Sequence, residues 1–288
     1  MIYEVMITVA TFDILPTDEL FPLIFPNIPE IDAYSPKFDR LGYGSMFIIM
    51  NMGTMLIVLF YYLALYLVVL PCARLSAKFG SRRGKRTEKK LRKVLFWDHA
   101  IVFLQEGFME ICISALINFL FIADNQGAWA SGDLLVSNFL TIFLTVAIIV
   151  LIALIAFYLW PRFSRLREKP IKKKYGSTYS MVDVKNRGTW TLLYPLIFFG
   201  RRLIFVVAVV MMIKYPAFQI LFFMLPTLGF MIHLGQVEPM KNRLENRLEM
   251  YNSFTILLLS YCLCCFTPFV LDANARYEVG FAMVFLTA

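Results

Sequence analysis

The stretch Leu134–Trp160 reads LLVSNFLTIFLTVAIIVLIALIAFYLW and contains no Asp, Glu, Lys or Arg from position 134 to position 160. An α-helix rises ~1.5 Å per residue, so about 20 residues cross the ~30 Å hydrocarbon core of a bilayer. The run is long enough to do so, and it therefore predicts a transmembrane helix.

The composition of the whole chain agrees with that prediction. Of its 288 residues, 59% are apolar or aromatic, only 17% are charged, and the mean hydropathy is +0.68. An average soluble domain carries about 25% charged residues, so this chain has too few to cover a soluble surface. The composition excludes a soluble globular enzyme, a disordered chain and a disulfide-rich secreted module.

Six apolar runs reach membrane length, and two shorter runs lie at the ends of the chain. The six are Ser45–Leu70, Leu95–Ile122, Leu134–Trp160, Thr189–Ile213, Pro216–Gly235 and Glu249–Val270; the short ones are Ile2–Phe12 and Tyr277–Ala288. A helix that stops inside a bilayer leaves backbone groups unsatisfied, so we interpret the short runs as parts of longer helices in a longer chain. The alternative is a short interfacial helix at each end. The predicted fold class is all-α, a polytopic transmembrane helix bundle with six complete spans plus a partial helix at each end.

The basic residues are sorted between alternate loops. The segments 71–94, 161–188 and 236–248 carry ten, nine and three Lys or Arg, whereas the intervening segments together carry four. By the positive-inside rule, the three basic loops are cytoplasmic. The segment 1–44 is then the end of a truncated helix followed by a Pro-rich, acidic extracellular segment, and 45–288 is the bundle.

One predicted span carries a polar stripe. His99, Glu106, Glu110, Ser114 and Asn118 follow one another at steps of seven, four, four and four residues. Side chains four residues apart share a helix face, so the stripe should point into the bundle or toward a water-filled cavity.

A second polar feature is the pair Arg201 and Arg202 in the fourth full span. Glu106 lies about eleven residues beyond Leu95, and Arg201 lies about twelve beyond Thr189, so both lie roughly 16–18 Å into the membrane. Matched depth predicts a buried intramembrane ion pair. It would either fix the register of the helices or form part of an ion pathway or switch.

We interpret the remaining polar residues of the predicted spans as contributing to helix packing and not as parts of a catalytic or binding site. Asn51 and Asn252 are candidate helix-packing residues. His99 and His233 fall near the inner interface, where histidines without a haem are the expected case. No spacing predicts a metal site, a cofactor or a catalytic motif, so we expect no enzyme.

Several segments resemble the C-terminal membrane domain of very large protist surface proteins, especially ciliate ones. These segments are FDRLGYGSMFIIMNMGT at Phe38–Thr54, LFWDHAIVFLQEGFMEICISALIN at Leu95–Asn118, YGSTY at Tyr175–Tyr179, LLYPLIFFGRRLIF at Leu192–Phe205 and NRLEMYN at Asn246–Asn252. In that family, Cys-rich furin-like or EGF-like repeats precede a multi-helix domain. The resemblance implies an architecture and hardly a mechanism.

A looser likeness links the chain to TRP and polycystin channels, which also place an extracellular segment after the first helix. The external joins after the first are too short here for a pore helix and filter.

Two functions follow as expectations. The first is a multi-pass membrane anchor, and possible transducer, for a large extracellular surface assembly in the plasma or ciliary membrane. The second is an ion channel or transporter. The expected partners are the lipid bilayer, other membrane or extracellular chains and anionic lipid at the basic loops. A homo-oligomer is compatible with the sequence. Nucleic acid is not expected, because most basic residues cluster in the loops between predicted spans.

Overall fold

The computed structural model of the chain is helical. It describes residues 24–26, 28, 33–80, 82–86, 88, 98–124, 129, 131–168, 171, 175–179, 181–184, 188–267 and 270–287. Over these ranges no β-strand forms, although Val182 and Met240 make an isolated bridge. The all-α fold class is therefore confirmed. The partial helix predicted at Ile2–Phe12 lies outside the described residues.

The chain divides into two units, residues 1–150 and residues 151–288. Six labelled helices begin and end in the first unit and one more begins there. They are α1 (Pro36–Arg40), α2 (Ile48–Asn51), α3 (Gly53–Ala64), α4 (Leu70–Lys78), α5 (Asp98–Glu106), α6 (Phe108–Asp124) and α7 (Gly132–Ala153). In the second unit, a π-helix, Leu154–Leu159, and a 3₁₀ helix, Trp160–Arg167, continue the chain from α7. The other helices there are the 3₁₀ turns Gly176–Tyr179 and Thr189–Leu192, then α8 (Leu193–Met211), α9 (Pro216–Val237), α10 (Arg243–Cys264) and α11 (Ala273–Thr287).

Four helical runs within the described ranges are long and apolar enough to cross a membrane. They are Met55–Lys78, Gly132–Leu166, Thr189–Met211 and Pro216–Val237. Only 12–33% of the most apolar window in each run is buried, so most of these side chains face outward. Outward-facing apolar side chains suit a hydrocarbon solvent and not water, which supports a membrane protein.

The first predicted span differs from the structure at both ends. The predicted run Ser45–Leu70 begins with the short helix α2 (Ile48–Asn51), and after an interruption at Met52 the longer helix α3 starts at Gly53. At the other end the helix continues to Lys78, beyond the predicted end. The hydrogen bonding changes to π type at Leu65–Val69, just before Pro71, which has no N–H to donate. The helix therefore passes through this proline.

The second predicted span, Leu95–Ile122, is divided in the structure into α5 and α6, with Gly107 between them. A Cβ atom at Gly107 would lie 3.0 Å from Met55 Cε and 3.2 Å from the Phe103 carbonyl oxygen. The glycine therefore allows close approach to α3 at the junction. In the described residues α5 has 9 residues and α6 has 17, against the about 20 that a typical span needs.

In the second unit, α8 packs against α9, and α9 packs against α10. The α8–α9 contact includes Phe205 and Phe223, whose ring centroids lie 5.1 Å apart. Gln219 Nε2 donates to the carbonyl oxygens of Ala208 and Val209 at 3.3 and 3.2 Å. The Ala208 carbonyl oxygen also accepts from the Met212 N–H at 3.0 Å, so the glutamine adds a second donor there, near the C-terminal end of α8.

The sixth predicted span, Glu249–Val270, corresponds to a helix with a charged first half. Asn242 caps α10 by accepting from the Leu244 N–H at 3.1 Å, and two Arg and two Glu residues follow before Asn252. The apolar part from Ser253 to Cys264 is about 18 Å long, which is shorter than the hydrocarbon core. Near the C-terminus, α11 begins four residues before the predicted start at Tyr277.

Candidate functional site

In the first unit, polar side chains of α6 and α7 meet in the interior. We call Ser114, Asn118, Ser137, Asn138 and Thr141 the asparagine cluster, and each of these residues is 0% exposed. Asn118 Nδ2 donates to Asn138 Oδ1 at 3.1 Å and to Thr141 Oγ1 at 2.7 Å. Both contacts join α6 to α7, so the polar stripe of α6 is used in helix packing at this level.

The hydrogen bonds of the asparagine cluster form a short chain. Thr141 Oγ1 accepts from Asn118 and donates to the Ser137 carbonyl oxygen at 3.0 Å. This carbonyl is one turn earlier on α7, so the threonine hydroxyl forms one hydrogen bond within its own helix and one with α6. Three oxygens of the cluster have no hydrogen-bond partner among the described residues: Ser114 Oγ, Asn118 Oδ1 and Ser137 Oγ.

Two other members of the predicted stripe, Glu106 and Glu110, do not share this burial. Glu110 is partly exposed, and Glu106 is exposed at the end of α5. His99 lies in α5, and its side chain is outside the described residues. The helix break at Gly107 lies between Glu106 and Ser114, and the stripe residues that follow the break on α6, Ser114 and Asn118, are completely buried.

Tyr43 lies close enough to α6 for Glu110 to affect it electrostatically. Burial, with a smaller effect of the Glu110 charge, raises the pKa of Tyr43 to about 12. A phenol with that pKa stays neutral and available as a hydrogen-bond donor at physiological pH.

In the second unit, Arg201 and Arg202 lie at the centre of the candidate span Thr189–Met211. Each guanidinium group lies over an aromatic ring. The Cζ atom of Arg201 is 4.4 Å from the Phe230 centroid, and that of Arg202 is 4.0 Å from the Phe198 centroid. Such contacts stabilise a cation where water is scarce.

Glu249 of α10 supplies the negative charge near these arginines. Its carboxylate interacts electrostatically with both Arg201 and Arg202. Ser253, one turn later on α10, is completely buried, and His233 of α9 is 8% exposed. The sequence-based account did not give Glu249 this role. The available signal was an acid at the predicted inner start of the sixth span.

The predicted pair of Glu106 and Arg201 has one residue in each unit, and it stays a prediction. Within the second unit, Arg201 already has Glu249 as an electrostatic neighbour. The Nη1 atom of Arg201 is buried and has no hydrogen-bond acceptor among the described residues. A buried donor of this kind has capacity for one more partner.

The two asparagines predicted as packing residues have different environments. Asn51 donates to the Ser45 carbonyl oxygen at 2.7 Å and accepts from the Ser45 N–H at 3.2 Å, which fixes the entry to the first span. Asn252 is exposed on α10. The sequence-based account missed Asn246, which is buried and bonds the N–H and C=O of Met240 at 3.0 and 3.3 Å.

In the part of the chain that the structure describes, these polar side chains hold neighbouring helices together. Over the described ranges, no group of three or more His, Cys, Asp or Glu side chains is placed to hold a metal ion. All five cysteines are free. Comparison of the chain with protein-family models, with curated proteins and with solved structures gives no match.

Proposed function

We propose that this chain is an integral membrane domain that anchors, and transduces from, a large extracellular surface assembly. The observation that carries the proposal is the pair of hydrogen bonds from Asn118 of α6 to Asn138 and Thr141 of α7. An anchor needs a rigid bundle, and hydrogen bonds between helices supply rigidity inside a membrane. The resemblance to ciliate-type surface proteins supplies the cell-surface setting and the expected extracellular partner chains.

An ion channel or transporter of TRP or polycystin type is the competing proposal. The best candidate in the sequence for lining its ion path is the polar stripe from His99 to Asn118. The exposed Glu106 and the partly exposed Glu110 favour it, because acids on a membrane helix commonly mark ion paths. The complete burial of Ser114 and Asn118 favours the anchor, because a conducting path needs hydrated side chains along its whole length.

Ion flux separates these two proposals. The purified chain is reconstituted into liposomes that contain a fluorescent indicator for Na⁺, K⁺ or Ca²⁺, and flux is compared with protein-free liposomes. We expect no flux above the protein-free rate. A flux that Glu110→Gln abolishes, while Asn252→Ala leaves it unchanged, would establish conduction and remove the anchor proposal.

We also propose that all six predicted runs cross the bilayer and that the basic loops face the cytoplasm. Two of those loops contact each other: the Asp183 N–H donates to the Pro239 carbonyl oxygen at 2.8 Å, and the Lys241 N–H donates to the Met181 carbonyl oxygen at 3.2 Å. Contact between the loops 161–188 and 236–248 supports a common side, as the charge pattern predicts.

Sidedness is testable with single cysteines at Arg82 and Arg243 in a variant whose native cysteines are replaced. An impermeant thiol reagent should label both positions only after the cells are permeabilised. Labelling of either position in intact cells would contradict the proposed topology.

A further inference from the structure

The helical run that contains the first candidate span turns back on itself after Lys78. The Phe79 N–H donates to the Leu75 carbonyl oxygen at 3.1 Å, and the Gly80 N–H donates to the Ala77 carbonyl oxygen at 3.2 Å. Gly80 has φ +84°, a left-handed conformation that glycine adopts without strain. Residues 82–86 are then helical again. A loop that merely connected two spans would not require this turn.

The returning segment packs directly on α4. A Cβ atom at Gly84 would lie 2.7 Å from Ser76 Oγ and 2.8 Å from the backbone nitrogen of Ala77, so only glycine allows this approach. Farther along, Glu88 Oε1 lies 3.8 Å from Arg74 Nε. Position 84 is therefore level with positions 76 and 77, and position 88 is level with position 74. We call residues 70–88 the basic hairpin.

The basic hairpin concentrates positive charge on a small surface. Its basic side chains are all exposed: Arg74, Lys78, Arg82, Arg83, Lys85 and Arg86. The same segment contains one acid, Glu88, so residues 70–88 carry a net charge of +5. Part of the Glu88 charge is engaged with Arg74. The surface is therefore suited to a ligand with several negative charges.

The fold also sets the depth of these charges. The apolar part of the candidate span ends just before Arg74, and α4 extends only about 6 Å from Arg74 to Lys78. Because the chain then reverses, positions 82–86 return to that same level instead of extending into water. This level is where lipid phosphate groups lie.

We infer that the basic hairpin binds the phosphate groups of polyanionic lipid headgroups in the leaflet that it adjoins. Positive loops that only orient a membrane protein need charge but no fold. This segment has a fold that brings four cations back beside the end of a span. Three of these four residues are arginines, whose planar guanidinium groups can bind phosphate through two hydrogen bonds. The proposal does not depend on whether the chain anchors or conducts.

The first experiment removes the charges. Binding of a short-chain fluorescent phosphatidylinositol bisphosphate to the purified full chain in neutral detergent is measured by anisotropy. The test variant combines Arg82→Gln, Arg83→Gln, Lys85→Gln and Arg86→Gln. The matched control removes four charges from exposed arginines elsewhere: Arg162→Gln, Arg165→Gln, Arg243→Gln and Arg247→Gln. We expect the test variant to bind about tenfold or more weakly and the control to change by less than about twofold.

The second experiment keeps every charge and changes the fold. Gly84→Ala places a methyl group against the α4 backbone and should open the hairpin, whereas Gly132→Ala enters open space. We expect Gly84→Ala to weaken binding at least about threefold, and Gly132→Ala to leave it unchanged. Circular dichroism and gel filtration confirm that each variant is folded.

Three outcomes would overturn the inference. Unchanged lipid binding by the fourfold test variant would show that the hairpin is not the site. If the fourfold test variant lost lipid binding while Gly84→Ala bound lipid fully, the positive charge alone, without the hairpin fold, would be sufficient for binding. Competition by a short RNA as effective as that by inositol trisphosphate would show a general polyanion surface and not a lipid site.

Discussion

Asn118 of α6 and Thr141 of α7 are joined by a hydrogen bond of 2.7 Å between two side chains that are completely buried. The same Asn118 amide also reaches Asn138 Oδ1 at 3.1 Å. One asparagine therefore ties two helices together at two points. The candidate span that contains α7, Gly132–Leu166, carries mostly apolar side chains on its outward-facing surface. The buried polar contact is therefore a specific determinant of how α6 pairs with α7.

The first prediction concerns that contact. Asn118→Ala removes both hydrogen bonds and leaves Asn138 and Thr141 without this donor. We expect the unfolding free energy in detergent, from titration with sodium dodecyl sulfate, to fall by about 1 kcal/mol. The control is Asn252→Ala, which changes an exposed asparagine of α10 and should have an effect below about 0.5 kcal/mol. Equal effects of the two substitutions would contradict the assigned role of Asn118.

The second prediction concerns Arg201 and Glu249. Arg201→Gln and Glu249→Gln should each lower the unfolding free energy, because each removes the attraction between these two charges; in Arg201→Gln, Glu249 keeps Arg202 as a neighbour. The double variant should lose less than the sum of the two, with a coupling of about 1 kcal/mol. The control cycle combines Glu249→Gln with Arg247→Gln. Arg247 is exposed and lies two positions before Glu249, so the two side chains do not share a helix face. If the free-energy losses of Arg201→Gln and Glu249→Gln were strictly additive in the double variant, an interaction between the two residues would be excluded.

The third prediction keeps the ion pair expected from the sequence. If Glu106 and Arg201 pair at matched depth, Glu106→Gln and Arg201→Gln each damage folding or activity, and the double variant recovers part of the loss. The double-mutant cycle is measured under the same conditions as the Arg201–Glu249 cycle. A Glu106–Arg201 coupling near zero beside a clear Arg201–Glu249 coupling would assign Arg201 to Glu249 alone.

The fourth prediction concerns Tyr179, which lies outside the candidate spans. Its hydroxyl donates to the Leu166 carbonyl oxygen at 3.1 Å, so Tyr179→Phe should cost about 1 kcal/mol of unfolding free energy at pH 8. Burial raises the pKa of Tyr179 above its ordinary value of 10.0. Stability from this group is then complete below pH 10 and is lost as the pH rises through the folded-state pKa.

The pH dependence supplies a control for that substitution. Between pH 8 and pH 11 the unfolding free energy of the parent chain should fall more steeply than that of Tyr179→Phe, because phenylalanine cannot ionise. Parallel curves for the two proteins would contradict the burial of a neutral Tyr179 in the folded state.

The sequence predicted where helices form better than it predicted which residues of neighbouring helices contact each other. The uncharged run Leu134–Trp160 predicted a span that the structure places at Gly132–Leu166, because length and hydropathy are local properties. Spacing by four residues also placed Ser114 and Asn118 on one face of α6. Their partner residues on α7 were not predicted, because periodicity within one helix does not specify the face of the next helix that it meets.

Glycines account for two of the differences. Gly107 interrupts the second predicted span, and mean hydropathy does not reveal the break, because the run as a whole stays apolar although Glu106 and Glu110 flank the glycine. Gly80 and Gly84 convert a basic loop into a hairpin. Two glycines four residues apart within a charged segment were the available signal, but positive charge by itself predicted only the side of the membrane.

The central claim is that the asparagine cluster is dry packing between helices and not the lining of a water-filled path. Its most direct measurement uses Ser114→Cys and Asn118→Cys in a variant without native cysteines, reconstituted in liposomes and treated with a small impermeant thiol reagent from either side. The account predicts that both cysteines stay unmodified until the protein is unfolded, while a cysteine in place of the exposed Arg243 reacts rapidly. Rapid modification at position 114 or 118 in the folded protein would contradict it.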